Sequence, residues 1–179
     1  MDWQLDQAGF RFVRYADDFV ILCKSRQKAQ EAYDFAAHIL SLIGLDISKD
    51  KSKITSFNEG FDFLGFRFNN SGFKMKAEAV DKLKHKIIHI TTRHYNLDIQ
   101  AIRKLQQIAV GTVNYFGYSD ANVKTQFNAI DVFIRKRIRC MKNKRTWYTD
   151  NWRIPSKRIY RWGLPSMVNL LSIKRALPP

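Results

Sequence analysis

The sequence predicts an α+β chain in which antiparallel hairpins with one packed helix come first and an α-helical bundle follows. Three observations predict it. Two apolar runs, Phe10 to Val13 and Phe19 to Cys23, flank Tyr15-Ala16-Asp17-Asp18, and aromatic and β-branched residues on both sides of a short polar turn mark a hairpin. Residues Phe61 to Phe68 alternate, with Phe61, Phe63, Gly65 and Arg67 on one face and Asp62, Leu64, Phe66 and Phe68 on the other. From Lys74 onward the apolar spacing lengthens to the three and four of a helix.

Composition fits a globular chain with a nucleic-acid partner. The 179 residues are 45% hydrophobic and 13% aromatic, enough to bury a core in one or two small domains. Lys and Arg total 31 against 16 acids, a net charge of +15 that favours a polyanion and makes its binding salt dependent. A membrane partner is not expected, because no apolar run is long enough to span a bilayer and no basic helix shows a bulky apolar face. The first residues, with Asp2, Gln4 and Asp6, lack the order of a signal peptide, so a cytoplasmic location is expected. Cys23 and Cys140 lie far apart, outside any Cys-x-x-Cys pair, which removes the sequence basis for structural zinc or a disulfide framework. Acids concentrate before residue 82, and only Asp98, Asp120, Asp131 and Asp150 follow. A mixed-charge first part therefore precedes a basic second part.

Residues 1 to 9 show little pattern. The hairpin that follows is expected to be buried and to hold Asp17 and Asp18 rigidly; adjacent like charges are best tolerated beside a divalent cation. Ser25 is a plausible N-cap for a helix with Ala29, Ala32, Tyr33, Ala36, Ala37, Leu40 and Ile43 on one stripe, and Gly44 stops it. Leu45-Asp46-Ile47 reads as a short extended piece, and Ser48 to Ile54 as a turn with Lys49, Lys51 and Lys53. Gly65 allows a bulge or close backbone approach in the alternating strand, which ends at the turn Asn69-Asn70-Ser71-Gly72.

Three helices are then predicted. The first carries Ala77, Val80, Leu83, Ile87 and Ile90 inward and Lys76, Lys82, Lys84, Lys86 and Arg93 elsewhere. His85 and His89 share a face of it, but with no carboxylate or cysteine beside them a metal role is not expected. The second begins near Asp98, is lined by Ile102, Leu105, Ile108, Ala109 and Val113, and closes at Asn114-Tyr115-Phe116-Gly117. The third takes Asp120 as N-cap, turns Val123, Phe127, Ile130, Phe133 and Ile134 inward, and ends with Arg135, Lys136, Arg137 and Arg139, cations that suit a helix C-terminus. The tail interleaves Trp147, Tyr148, Trp152, Tyr160 and Trp162 with Lys144, Arg145, Arg153, Lys157, Arg158 and Arg161, a pattern that can stack unpaired bases and grip phosphates. Leu164 to Ala176 reads as one more helix, and no internal repeat or low-complexity linker is found.

Taken in order, these motifs resemble a known family. Tyr15-Ala16-Asp17-Asp18 between apolar strands resembles the metal-binding hairpin in the palm of reverse transcriptases. Leu42-Ile43-Gly44-Leu45 and Lys51-Ser52-Lys53 are similar to the helix end and lysine turn that follow it there, and Phe63-Leu64-Gly65 with the next aromatic is similar to the primer-grip hairpin of group II intron reverse transcriptases. Gly111 to Gly117 resembles their thumb and maturase segment, with Thr112 where an aromatic is usual.

The resemblance implies a partial polymerase palm over 1–72, a helical thumb or maturase domain over 73–142 and a basic aromatic extension over 143–179. It implies an RNA-directed DNA polymerase in which Asp17 and Asp18 bind magnesium, with manganese as the alternative ion, Lys51 assists the leaving pyrophosphate, and Phe63, Leu64 and Gly65 place the primer terminus. Lys82, Lys86, Arg135, Arg137, Arg139, Arg145, Trp147, Arg158 and Arg161 would hold nucleic acid. The implied partners are an RNA template with its primer duplex, intron RNA and deoxynucleotides. Fingers and the palm strand with a further aspartate have no counterpart before Phe10, so a segment on the same or another chain is expected to complete the site. The alternatives are a non-catalytic maturase-like module that assists RNA folding or splicing, and a reverse transcriptase domain of a CRISPR or antiphage defence system.

Overall fold

The structure, a computed structural model, describes residues 1–48, 50–92, 96–118, 120–144 and 150–176. Helices and small antiparallel ladders make it α+β, and they fall into two compact units, Met1–Phe63 and Leu64–Pro179.

The first unit opens with a short helix, α1 (Asp2–Gln7), where the sequence shows little pattern; it buries Leu5 completely. Strands β1 (Arg11–Tyr15) and β2 (Asp18–Leu22) form an antiparallel pair that starts one residue later than expected at Arg11 and one earlier at Asp18. Helix α2 (Arg26–Ser41) begins as predicted, the Ser25 hydroxyl accepting from the Lys28 N–H at 3.2 Å. It also ends at the expected glycine: Gly44 takes φ +72° and the Leu45 N–H returns to the Leu40 carbonyl at 2.9 Å. Its buried stripe is Ala32, Ala36 and Ile39, so Ile39 replaces Ile43, which is exposed beyond the last turn. No strand forms over Leu45-Asp46-Ile47, and β3 (Phe61–Phe63) closes the unit.

The hairpin is not buried as expected. Val13 is 54% and Tyr15 66% exposed, and only Phe12 in β1 is half-buried. The reason is coverage: β1 and β2 form a two-stranded ribbon, with α1 packed on β1 and α2 on β2, and such a ribbon keeps two unpaired edges and an uncovered face.

In the second unit, β4 (Phe66–Asn69) and β5 (Gly72–Met75) pair antiparallel around Asn70-Ser71, with the Asn69 side chain accepting from the Ser71 N–H at 3.0 Å. Two expectations change here. The alternating run is broken between Phe63 and Phe66, because Leu64 and Gly65 both take positive φ and turn the chain. Residues 74 and 75 belong to β5, and helix α3 (Ala77–Ile90) starts only after Lys76.

The Asp98 carboxylate accepts from the Ala101 N–H at 2.7 Å, and helix α4 (Ile99–Phe116) begins there as expected. Helix α5 (Lys124–Asn143) does not: its N-cap is Val123, and Asp120 stands too far upstream. Short helices α6 (Asp150–Arg153) and α7 (Ser156–Arg161) follow, then α8 (Met167–Ala176), which starts three residues after the predicted Leu164.

The bundle is larger than the three helices predicted. Leu83 and Ile87 of α3, Leu105 and Val113 of α4, and Phe127, Ile130, Ile134 and Ile138 of α5 share one core with Ile154, Ile159, Leu164, Met167 and Leu171. A buried acid joins two of these helices: Asp131 of α5 accepts from the Ser166 hydroxyl at 2.6 Å and the Met167 N–H at 3.0 Å, capping α8 with a side chain from another element. Gly117 closes α4 where a β-carbon would lie 2.5 Å from the Val113 carbonyl oxygen and 3.0 Å from Leu171, so only glycine fits between α4 and α8.

Candidate catalytic hairpin and nucleic-acid interface

The β1–β2 register pairs Tyr15 with Asp18 and leaves Ala16 and Asp17 as a two-residue turn. Positive φ at the first turn position matches the twist of hairpin strands, and glycine is its usual occupant; here Ala16 takes φ +55°, at a cost of about 1 kcal/mol. Arg14 stabilises this conformation. Its guanidinium donates to the Ala16 carbonyl at 2.9 Å and, through two nitrogens, to one Asp2 oxygen at 2.7 and 3.0 Å, and Asp2 raises the Arg14 pKa above its ordinary value. Helix α1 is thereby tied to the turn that carries Asp17.

Asp17 and Asp18 are both exposed, and among the described residues neither carboxylate has a hydrogen-bond or ion-pair partner. Hard oxygen donors on adjacent residues suit magnesium, which keeps several waters and takes one or two carboxylates. The pair therefore fits a partial magnesium site. No cluster of three or more metal-binding side chains occurs among the described residues.

Lys51 sits in a turn closed by its own N–H and that of Ser52 on the Ser48 carbonyl, at 3.2 and 2.9 Å, and its side chain is exposed. Among the described residues no ion pair joins it to Asp17 or Asp18. Lys49 lies outside the described residues. Phe63 is half-buried at the end of β3, and Leu64 and Gly65 form the turn that opens the second unit.

The predicted cations divide into two kinds. Lys82 and Lys86 are exposed on α3, and Arg158 and Arg161 on α7, with the Arg158 guanidinium 5.8 Å from the centre of the Trp162 ring. The α5 arginines are instead engaged with neighbouring elements. Arg137 donates to the Thr91 hydroxyl at 2.9 Å and the Thr91 carbonyl at 2.8 Å, closing the C-terminus of α3; Arg139 donates to the Ile154 carbonyl at 2.9 Å; Arg135 reaches the Tyr160 hydroxyl at 3.1 Å. Guanidinium forks that satisfy backbone carbonyls hold the bundle together as well as adding charge. Arg93, Arg145, Trp147 and Tyr148 lie outside the described residues. Trp152 is 72% exposed, with the Arg153 guanidinium 5.6 Å from the centre of its ring.

One contact was invisible in the sequence. The Tyr115 hydroxyl, at the end of α4, donates to the Leu64 carbonyl at 3.0 Å, so the Phe-Leu-Gly and Tyr-Phe-Gly motifs touch. No local signal encodes this, because 51 residues separate the partners.

Residues 1–68 match the family model Reverse transcriptase (RNA-dependent DNA polymerase), and residues 80–161 match Group II intron, maturase-specific domain. No curated protein matches the chain at a significant level. The first match ends just beyond Gly65, and the second runs from Val80 in α3 through Arg161, the last residue of α7. With these two segments in this order, the chain belongs to the group II intron-type reverse transcriptase/maturase family.

Proposed function

We propose that this chain supplies the Asp-Asp hairpin of an RNA-directed DNA polymerase together with the helical domain that holds its nucleic acid. The observation that carries this reading is the pair of carboxylates, without a partner among the described residues, at a turn that Arg14 fixes inside the segment matched to reverse transcriptases. In these terms residues 1–72 are the later part of a palm, 73–142 a thumb or maturase domain, and 143–179 a basic aromatic extension.

Asp17 and Asp18 would hold magnesium, with manganese as the alternative ion. When bound, the ion supplies charge stabilisation for attack of a primer 3′-hydroxyl on the α-phosphate of a deoxynucleotide, with pyrophosphate leaving. In-line displacement clamped by two ions needs carboxylates that hold and bridge both, so the reading requires a further carboxylate beyond this pair, from a fingers or palm segment on the same or another chain. Lys51 would meet the leaving pyrophosphate as an acid or a counter-charge. Phe63, Leu64 and Gly65 would place the primer terminus. Lys82, Lys86, Arg158 and Arg161 would hold backbone phosphates, with Arg135, Arg137, Arg139, Arg145 and Trp147 adding charge and stacking surface.

Asp17→Asn tests this assignment in the assembled polymerase. Nucleotide addition should fall by roughly 10²- to 10³-fold or more while RNA affinity stays within about twofold. Retained extension removes the assignment.

A second reading, a maturase-like module that assists RNA folding or splicing, is favoured by the second unit, whose closed core and basic surface need no active site. It is tested by RNA binding to the full chain without deoxynucleotides. Affinity should fall steeply with salt and survive Asp17→Asn. Salt-independent binding would remove it.

A further inference from the structure

Arg14 reaches the Ala16 carbonyl, one peptide before Asp17, yet among the described residues it pairs with neither Asp17 nor Asp18. A long cation beside two exposed carboxylates is readily captured by one of them, because charge-assisted hydrogen bonds are the strongest such groups make. Here the guanidinium is taken up elsewhere. Its Nε and one terminal nitrogen donate to a single Asp2 oxygen at 3.0 and 2.7 Å, and the other terminal nitrogen donates to Ala16, so all three nitrogens are engaged.

The fold brings Asp2 to this place from twelve residues away. Asp2 is the first residue of α1, where a carboxylate suits the helix N-terminus. Leu5 of the same helix is fully buried, and α1 packs on β1. The chain reverses between them at Gly9, which takes φ +75° and lets the Phe10 N–H return to the Leu5 carbonyl at 3.0 Å. The second Asp2 oxygen, Oδ1, is enclosed and has no hydrogen-bond partner among the described residues. Leaving an enclosed acceptor unpaired costs stability, and what this orientation gains is the oxygen that Arg14 shares between two nitrogens.

The pairing matters to the acids at the turn. An arginine held by Asp17 or Asp18 has to leave before a divalent cation can bind there, and its positive charge stays close to the ion afterwards. Paired with Asp2, the same arginine is neutralised locally and spends its remaining donor on the turn.

We propose that Asp2 is a positioning residue that holds the Arg14 guanidinium on the Ala16 carbonyl and away from Asp17 and Asp18, leaving both carboxylates open to a divalent cation. This rests on the reading of Asp17 and Asp18 as ligands of that ion, and it adds an acid that serves the site without touching the metal.

The test follows manganese(II) binding to the full chain by paramagnetic broadening of backbone amides, which needs neither primer nor nucleotide. In the wild type the Asp17 and Asp18 amides should broaden at a lower manganese concentration than that of Asp46, a solitary exposed acid. Asp2→Asn should raise the concentration for half-broadening by about fivefold, the upper range for an exposed ion pair that must first be broken. Asp2→Glu, which keeps the charge, should recover most of that loss. Arg14→Gln separates this role from simple attraction of the ion by Asp2. Alone it should not tighten manganese binding, because the charge it removes was already paired; in Asp2→Asn it should bring the affinity back to within about twofold of the wild type. Equal tightening in both backgrounds, or no recovery in the double variant, overturns the role of Asp2 and leaves the metal reading standing. Wild-type Asp17 and Asp18 amides that broaden no sooner than Asp46 overturn both. The Asp2 side chain is 44% exposed, so its replacement removes little packing and the α2 amides should keep their positions in every variant. Their loss in Asp2→Asn would show that the pair holds the fold of the unit instead, and would also overturn the proposal.

Discussion

The two units of this chain bury their apolar residues to different degrees. In the second, Phe127, Leu105, Ile134, Ile138 and Met167 are almost fully enclosed in one core to which helices α3, α4, α5 and α8 all contribute. In the first, the buried hydrophobic side chains among the described residues are Leu5 and three of α2, while Val13, Tyr15, Leu22, Leu42, Ile43 and Leu45 stay largely exposed. Both units carry strong secondary-structure signals, so the contrast lies in what covers the elements. A bundle covers every helix with another, whereas a two-stranded ribbon with one long helix leaves a face and two edges open. The hairpin proposed for catalysis is therefore fixed by its turn, through Arg14, rather than by burial of its strands.

The largest predicted effect separates the two units directly. Phe127→Ala should destabilise the second unit by roughly 3 to 5 kcal/mol, because a large enclosed ring leaves a cavity the surrounding helices cannot fill. Ile43→Ser should change stability by no more than about 0.5 kcal/mol, since Ile43 is 64% exposed. Hydrogen exchange of the α4 and α2 amides measures each locally. Strong deprotection of α2 by Ile43→Ser would show that the first unit hides a core the exposures miss.

A smaller effect tests whether the second unit is held by polar links as well as apolar contact. Asp131→Ala removes the acceptor of the Ser166 hydroxyl and the Met167 N–H, and should cost roughly 3 kcal/mol in urea denaturation. Loss of α8 protection ahead of α4 would be its local signature. An unchanged denaturation midpoint would mean that packing alone docks α8.

The same contrast explains what the sequence discloses. Ser25 and Gly44 act at the positions the sequence predicts, and α4 starts near Asp98 as expected, because caps work over three or four residues and the sequence holds all of the information. The Tyr15 to Asp18 turn and the stripes of α3 and α4 are legible for the same reason. Strand β5 is not: Lys74 and Met75 fit the start of the helical period, and only pairing with Arg67 and Phe66 makes them strand. Asp131 reads as an acid in a basic helix until α8 arrives beside it. The α5 arginines read as exposed charge, and the sequence does not disclose that each of the three also donates to a distant segment, to Tyr160, Thr91 or Ile154. The Leu64 turn is hidden because a leucine at positive φ answers to Tyr115 and Phe116 rather than to its neighbours.

The smallest effect concerns the polar links of the first unit. The Glu59 carboxylate accepts from the Thr55 hydroxyl at 2.9 Å and the Ser56 N–H at 3.3 Å, and these bonds, the hydroxyl first, lower its pKa below the ordinary glutamate value. A group lowered in the folded state binds its proton less readily there than in the unfolded chain. Its contribution is therefore present above the ordinary glutamate pKa and is lost as pH falls through the lowered one. Thr55→Val removes the larger cause while keeping the shape of the side chain, so the Glu59 titration followed by carboxyl NMR should move up toward the ordinary range. Loss of structure around Ser56 to Gly60 should then begin at higher pH on acidification. Were the titration unmoved, the Ser56 N–H and the charges of Arg26 and Lys53 would be setting it, and the loop before β3 would owe nothing to the threonine.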